Sequence, residues 1–229
     1  MMWTSSVGEM DFTPVEQEYL RSILADPRIS FIWFGDESLA RLYPRKGFWA
    51  PYPLDVDGLG SPYQDPHKED IATLFCPTGL KKNILNQLLA MKLVQRSRKL
   101  TLHTNLQSYD HILKDLDCVH HDWLPEAEYH KLIASAKVNL GVSWCETFNY
   151  QIAEAALVGT ASVISPTILL PGIGIKNPND PSEIASTILD CLSHGICDMR
   201  DKTVEFLTER NRQALKILKD KLSTQVPYE

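Results

Sequence analysis

The sequence has little from which to build a disulfide framework. Its five cysteines, Cys76, Cys118, Cys145, Cys191 and Cys197, form no C-x-x-C pair, and an odd number suits reduced thiols in a reducing compartment. A long apolar run is also missing. The best candidate, residues 153–175, is cut by Gly159, Ser165, Pro166, Pro171 and Gly172, which excludes a membrane helix. The N-terminus lacks the basic flank and apolar core of a signal peptide. These absences make a cytoplasmic location the expectation, with peripheral membrane contact left open. There is no excess of positive charge: a net charge of -6 and a pI near 5.6 argue against nucleic acid as the main partner. No clustered set of His, Asp or Cys demands a metal, and no repeat or low-complexity run interrupts the chain.

What is present is an ordinary globular composition, 44% hydrophobic and 23% charged over 229 residues, enough for one large domain or for one domain and part of another. Thr13-Pro14-Val15-Glu16 combines an N-cap, a proline at the first helical position and a capping-box acid, so a helix starts there and Pro27 ends it. A short buried strand over 29–34 and a helix over 36–43 follow. Residues 44–66 hold many prolines and glycines and read as a linker. From residue 71 the pattern alternates. Strands are predicted over 71–76, 99–103, 118–120, 138–142 and 160–165. Helices are predicted over 83–94 and 109–116, after Pro125, before Gly159, from Pro181 to about 195, and over 201–222. Strands alternating with helices predict an α/β fold with a doubly wound, Rossmann-like parallel sheet.

The centre of that pattern is the strand ending at Val142, the polar loop through Glu146 and Phe148, and the helix through Glu154. In an open α/β sheet this junction lies at the carboxyl ends of the strands, where ligands bind. A helix N-terminus there offers unpaired N–H groups and a positive dipole end to a phosphate. The two glutamates flank it. Phosphate donors between two acids suit a ligand with phosphates in its middle and hydroxyls at both ends.

Glu146 and Glu154 are separated by seven residues, with Phe148 two places after the first. This resembles the E-x7-E signature of retaining glycosyltransferases of family 4, which have the two-domain GT-B fold. Further elements follow in the same order. Lys82-Asn83 resembles the opening of the family's first helix, and Trp123-Leu124-Pro125 its G-x-[LV]-P loop. Ala134-Ser-Ala-Lys-Val138 resembles "ASADV", Gly159-Thr-Ala-Ser-Val-Ile-Ser165 resembles "GTPVIAS", and Gly172-Ile-Gly174 with Asn179-Asp-Pro resembles the late glycine-rich element. The resemblance covers roughly residues 71–192. It implies the C-terminal, nucleotide-sugar-binding half of such an enzyme (67–229), preceded by a short remnant of the first domain with its linker (1–66).

The resemblance also implies roles. Glu146 and Lys82 would be catalytic, the first toward hydroxyls of the donor sugar and the second toward the diphosphate. Glu154 would bind the ribose. Thr147, Phe148, Asn149 and Tyr150 would hold the diphosphate through backbone N–H groups, with Lys81 adding charge and Trp123 and Leu124 lining the donor site. The implied substrate is a nucleoside diphosphate sugar, with neither cofactor nor metal, and the acceptor is an unidentified glycan, lipid or protein. Three features depart from the family. Asn149 stands where glycine usually follows the phenylalanine, an exchange open to asparagine because it can adopt the left-handed region or cap a helix. The family's usual arginine beside the lysine is replaced by Pro77-Thr78-Gly79-Leu80, and 1–66 is too short for a complete first domain. A partner domain or a homo-oligomer would then complete the enzyme. The alternatives are a nucleotide-sugar-binding module or partner subunit without catalysis, and an unrelated doubly wound protein. Adjacent His120 and His121 point to opposite faces of a strand and read as structural.

Overall fold

The computed structural model describes residues 2–3, 14–60, 67–77, 80–146, 148–194 and 199–223. The chain divides into two compact units. The first comprises Met1–Leu54, Cys145–Phe148 and Glu205–Glu229, and the second Asp55–Trp144 and Asn149–Val204.

In the first unit, β1 (Met2–Trp3), β2 (Ile32–Phe34) and β3 (Gly47–Trp49) form a three-stranded parallel sheet in that order. Helix α1 (Pro14–Ala25) begins at the predicted proline, while its predicted cap, Thr13, lies outside the described residues. Helix α2 (Glu37–Leu42) is capped by Asp36, whose carboxylate accepts from Leu39 N–H at 3.0 Å. Leu20 and Ile23 of α1 and Leu39 of α2 bury against Ile32 and Phe34 to form the core. Strand β3 lies inside the stretch read as linker, because three residues are too few to show an alternating pattern.

The second unit opens with α3 (Val56–Gly60) and carries a six-stranded parallel sheet. Its strands are β4 (Glu69–Leu74), β5 (Thr101–Thr104), β6 (Cys118–His120), β7 (Ala136–Gly141), β8 (Ser162–Ile164) and β9 (Ile173–Gly174). The spatial order β6-β5-β4-β7-β8-β9 reverses direction between β4 and β7. This is the doubly wound arrangement, and the reversal marks the crevice where such sheets bind ligands. The helices are α4 (Ile84–Ser97), α5 (Asp110–Leu113), α6 (Glu126–Ser135), α7 (Tyr150–Leu157) and α8 (Pro181–His194). The last, α9 (Arg200–Ser223), contributes residues 200–204 here and its remainder to the first unit.

The sheet core contains Leu74, Leu102, Val138, Leu140 and Val163, packed against Leu88, Met91 and Val94 of α4 and Ile184 and Ile188 of α8. Helix α7 packs on β7 with Ile152 set against Gly141. A Cβ on Gly141 would run into the tip of the Ile152 side chain, so a larger residue there requires Ile152 to move. The helix stops at Gly159, whose φ of +78° is the left-handed termination that glycine adopts without cost. Beneath α7, Thr73, Asn139 and Ser162 are register partners across β4, β7 and β8. Thr73 Oγ1 donates to Asn139 Oδ1 at 3.0 Å, Asn139 Nδ2 donates to Ser162 Oγ at 2.9 Å, and Gln151 Nε2 donates to Asn139 Oδ1 at 2.8 Å. This satisfied polar strip fixes where the first turn of α7 sits on the sheet. Among the described residues no helix is long and apolar enough to cross a membrane.

Candidate functional site

A cavity of about 670 Å³ opens at the carboxyl ends of β4, β5 and β6. Phe75, Cys76 and Pro77 follow β4, Asn105 follows β5, and Asp122, Trp123 and Leu124 follow β6; Glu126, Tyr129 and His130 of α6 and Glu154 of α7 complete the wall. The wall is braced from behind. Asn105 Oδ1 accepts from Cys76 N–H at 3.2 Å, and Asp122 Oδ1 accepts from Gln107 Nε2 at 3.1 Å. Phe75 meets the Tyr129 ring edge-on at 5.6 Å between centroids. His121, whose ring centroid lies 5.8 Å from that of Phe75, is stacked at 5.0 Å on His103 and shares a 2.9 Å hydrogen bond with it. That pairing accounts structurally for His121, and burial holds both imidazoles below the usual histidine range.

Glu154 is half-buried in this wall. Removal from water pushes its carboxyl up to about 7, opposed by the Tyr129 phenol donating to it and reinforced by nearby Glu126. Tyr129 is raised in turn by its own burial and by the Glu154 charge. The wall therefore holds a carboxylate near its titration point, fixed by one side-chain donor and facing an aromatic cavity. It is suited to accept hydroxyl hydrogen bonds from a ligand that also presents a flat apolar ring. Trp123, at 94% exposure, stands at the rim.

Lys81 and Lys82 lie on a short 3-10 turn (Leu80–Lys82) between β4 and α4. Its backbone is tied down at successive positions. Trp144 N–H donates to the Lys81 carbonyl at 2.9 Å, and Gln87 Nε2 donates to the Lys82 carbonyl at 2.8 Å. Asn83 follows in the left-handed region (φ 50°), with its amide donating to the Pro178 carbonyl at 2.5 Å. Trp144 Nε1 donates to Asn179 Oδ1 at 2.8 Å. The lysine turn, the end of β7 and the loop before α8 are thus one hydrogen-bonded platform.

Helix α7 begins as its sequence predicts. Asn149 is extended (φ -101°, ψ 97°) and caps the helix by accepting from Ile152 N–H at 3.3 Å, so of the two conformations open to it the cap is the one found. Tyr150 is the first helical residue and is 41% exposed. Thr147 lies outside the described residues. Glu146 and Phe148 belong to the first unit, where Phe148 lies beneath the Arg210 guanidinium of α9 at 5.1 Å, and Phe206 lies 5.8 Å from the same group.

Of the residues singled out from sequence, Glu154, Trp123 and Leu124 therefore share one cavity, and Lys81 and Lys82 share one platform with the end of β7. Sequence reasoning missed Tyr129 as a partner of Glu154, Phe75 and Asn105 as wall residues, and Gln87 as a brace. Phe75 and Asn105 carried a usable signal, since both stand at or just past a predicted strand end. Tyr129 and Gln87 did not, because Glu154 and Val142 are remote from them in sequence. Among the described residues no group of three or more His, Cys, Asp or Glu is arranged to hold a metal ion.

No family model matches the chain, and no curated protein matches its sequence. Solved structures do match its fold. A trehalose-6-phosphate synthase studied with bisubstrate glycomimetics superposes with a TM-score of 0.71 at 12% identity over 98% of this chain and 67% of that one. The E. coli protein bound with UDP-2-fluoro glucose gives 0.70 at 11% identity, over 98% and 66%. The UDP-forming α,α-trehalose-phosphate synthase from Burkholderia xenovorans gives 0.67 at 11% identity, over 97% and 66%. The chain thus spans about two thirds of the length of these structures. Identity this low speaks for fold alone: the chain has the parallel, Rossmann-like α/β fold of the C-terminal half of GT-B glycosyltransferases.

Proposed function

We propose that the chain binds a nucleoside diphosphate sugar and serves as a retaining glycosyltransferase that needs no metal. The observation that carries this reading is the half-buried Glu154, held by Tyr129 in an aromatic-walled cavity at the carboxyl ends of β4–β6. The Glu154 carboxylate accepts the ribose hydroxyls, and Trp123 and Leu124 border the base. Lys82, with Lys81, places positive charge toward the diphosphate. The backbone N–H groups of Phe148, Asn149 and Tyr150, at the positive end of α7, add directed donors. Glu146 contacts the donor-sugar hydroxyls.

When the bond between the anomeric carbon and the phosphate oxygen breaks, negative charge builds on that oxygen, and donors and a cation already in place stabilise it. A bond forms from an acceptor hydroxyl to the same face of the sugar, and the hydroxyl proton leaves to the departing phosphate. One neighbour was solved with UDP-2-fluoro glucose and another, UDP-forming, with glucose-6-phosphate, so UDP-glucose with a sugar or sugar-phosphate acceptor is the first pair to assay. A partner domain, a partner subunit or a second copy of the chain would complete the acceptor side.

A second reading, a nucleotide-sugar-binding module without turnover, draws on one specific observation: the arginine usual at the end of the first strand is absent, and Pro77 and Leu80 bracket its place. A thermal-shift panel with UDP, GDP, ADP and CMP tests the binding reading. A ligand at a hundred times its Kd stabilises the native state by about 2.7 kcal/mol. The correct nucleotide raises Tm, and Glu154→Ala cuts most of the rise. No rise with any of them contradicts the proposal, and binding without sugar release or transfer favours the second reading.

A further inference from the structure

Gln87 is an anomaly in its helix. It lies in the first turn of α4, 1% exposed, where the other buried positions, Ile84, Leu88, Ala90, Met91 and Val94, are apolar. Burying a primary amide is unfavourable unless both its ends are satisfied, and here both are satisfied by backbone from different parts of the chain. Nε2 donates to the Lys82 carbonyl at 2.8 Å, and Oε1 accepts from Val142 N–H at 3.0 Å. The amide therefore joins the lysine turn to the first residue past β7, at the point where the strand order reverses. Neither bond completes a helix or a sheet ladder. Their effect is to set the distance between two loops. Only a side chain of this length with a donor and an acceptor can do so: glutamate keeps the acceptor but cannot donate when ionised, and methionine keeps the length without either.

We propose that Gln87 is a positioning residue for the diphosphate site, holding the Lys81–Lys82 turn in register with the end of β7 so that the lysine charge meets the phosphates. This rests on the reading of the chain as a nucleoside-diphosphate binder. The neighbouring bonds point the same way. Trp144 N–H holds the Lys81 carbonyl and Asn83 holds the Pro178 carbonyl, so the turn is anchored on both sides and Gln87 supplies the link in the middle. Since positioning acts only on the phosphate end of a ligand, its removal has a signature that general destabilisation lacks.

The experiment compares binding of UDP with uridine, and of GDP with guanosine, by titration calorimetry and competition, to the wild-type chain, Gln87→Met, Lys82→Ala and the double variant. Circular dichroism and Tm establish that each is folded. The expected result is that Gln87→Met weakens the diphosphate on the order of tenfold, as for a misplaced charge-assisted hydrogen bond, and leaves nucleoside affinity unchanged. In the Lys82→Ala background the same substitution then weakens the diphosphate no further, because the group it positions is gone. Where Gln87→Met does not fold, Gln87→Glu at pH 8 carries the same comparison, since an ionised carboxylate still accepts from Val142 N–H but cannot donate to the Lys82 carbonyl. Equal weakening of diphosphate and nucleoside, full additivity with Lys82→Ala, or no weakening at all would each overturn the proposal for Gln87 while leaving the nucleotide reading intact. A wild-type chain that binds neither diphosphate overturns that reading, and this inference with it.

Discussion

The two glutamates of one sequence motif have different surroundings. Glu154 lies on α7 in the sheet-bearing unit, half-buried, bonded to Tyr129 and facing a cavity. Glu146 lies on a loop grouped with the N-terminal segment and the end of the chain, two residues from the ring that Arg210 covers. The resemblance gives the two acids different roles on one ligand, Glu146 toward the donor sugar and Glu154 toward the ribose, with nothing to distinguish their surroundings. The structure instead gives one a fixed, desolvated environment and ties the other's loop to α9. On the proposed reading the first serves affinity and the second turnover, and substitutions can separate them.

The largest separation is expected between Glu154→Ala and Glu146→Ala. The first removes a half-buried charged acceptor and lowers nucleoside diphosphate affinity by about 2 kcal/mol, roughly thirtyfold. The second leaves that affinity within about twofold and lowers sugar transfer instead. Calorimetry and product assays on both variants decide this, and equal declines in affinity would collapse the distinction. Next in size is a stability effect. Between the ordinary glutamate value and about 7, the native state retains a proton on Glu154 that the unfolded chain has released. Stability therefore falls as pH rises through that window and stays reduced above it. Glu154→Gln should stabilise the ligand-free chain by about 1–2 kcal/mol at pH 8 and by nothing below pH 4, measured by urea unfolding. A smaller effect is expected from Tyr129→Phe. Without the phenol donor the Glu154 carboxyl rises further, so the pH below which nucleotide affinity declines moves upward, visible in titrations from pH 5 to 9. Smallest is Arg210→Ala, which removes a cation–π interaction worth about 0.5–1 kcal/mol and should reduce transfer severalfold with nucleotide affinity unaltered.

The parts of this picture visible in sequence are those governed by local physics. The apolar alternation through Val138 and Leu140 marks β7, and the Asn149 cap, the Gly159 stop and the Asp180-Pro181 helix start all lie where pattern and capping chemistry place them. The hidden parts depend on distant partners. Strand β9 has two residues, too few for periodicity, and finds its place by pairing with β8. Asn211 interrupts the apolar face of α9 because its amide donates to the Leu54 carbonyl at 2.7 Å and accepts from Leu54 N–H at 3.0 Å, a pairing no local pattern announces. Gln87, Tyr129 and Arg210 were hidden for the same reason. Each is an ordinary helix residue until the chain brings its partner to it.

The most direct measurement is calorimetric titration of the chain with UDP, GDP and ADP at pH 8 and pH 6, alongside Glu154→Ala. An ionised Glu154 is the better acceptor for ribose hydroxyls, so one nucleotide should bind, more tightly at pH 8 than at pH 6, and Glu154→Ala should lower the affinity roughly thirtyfold and remove its pH dependence. Binding that is indifferent to pH and to the substitution, or no binding at all, would contradict the assignment of this cavity to a nucleoside diphosphate.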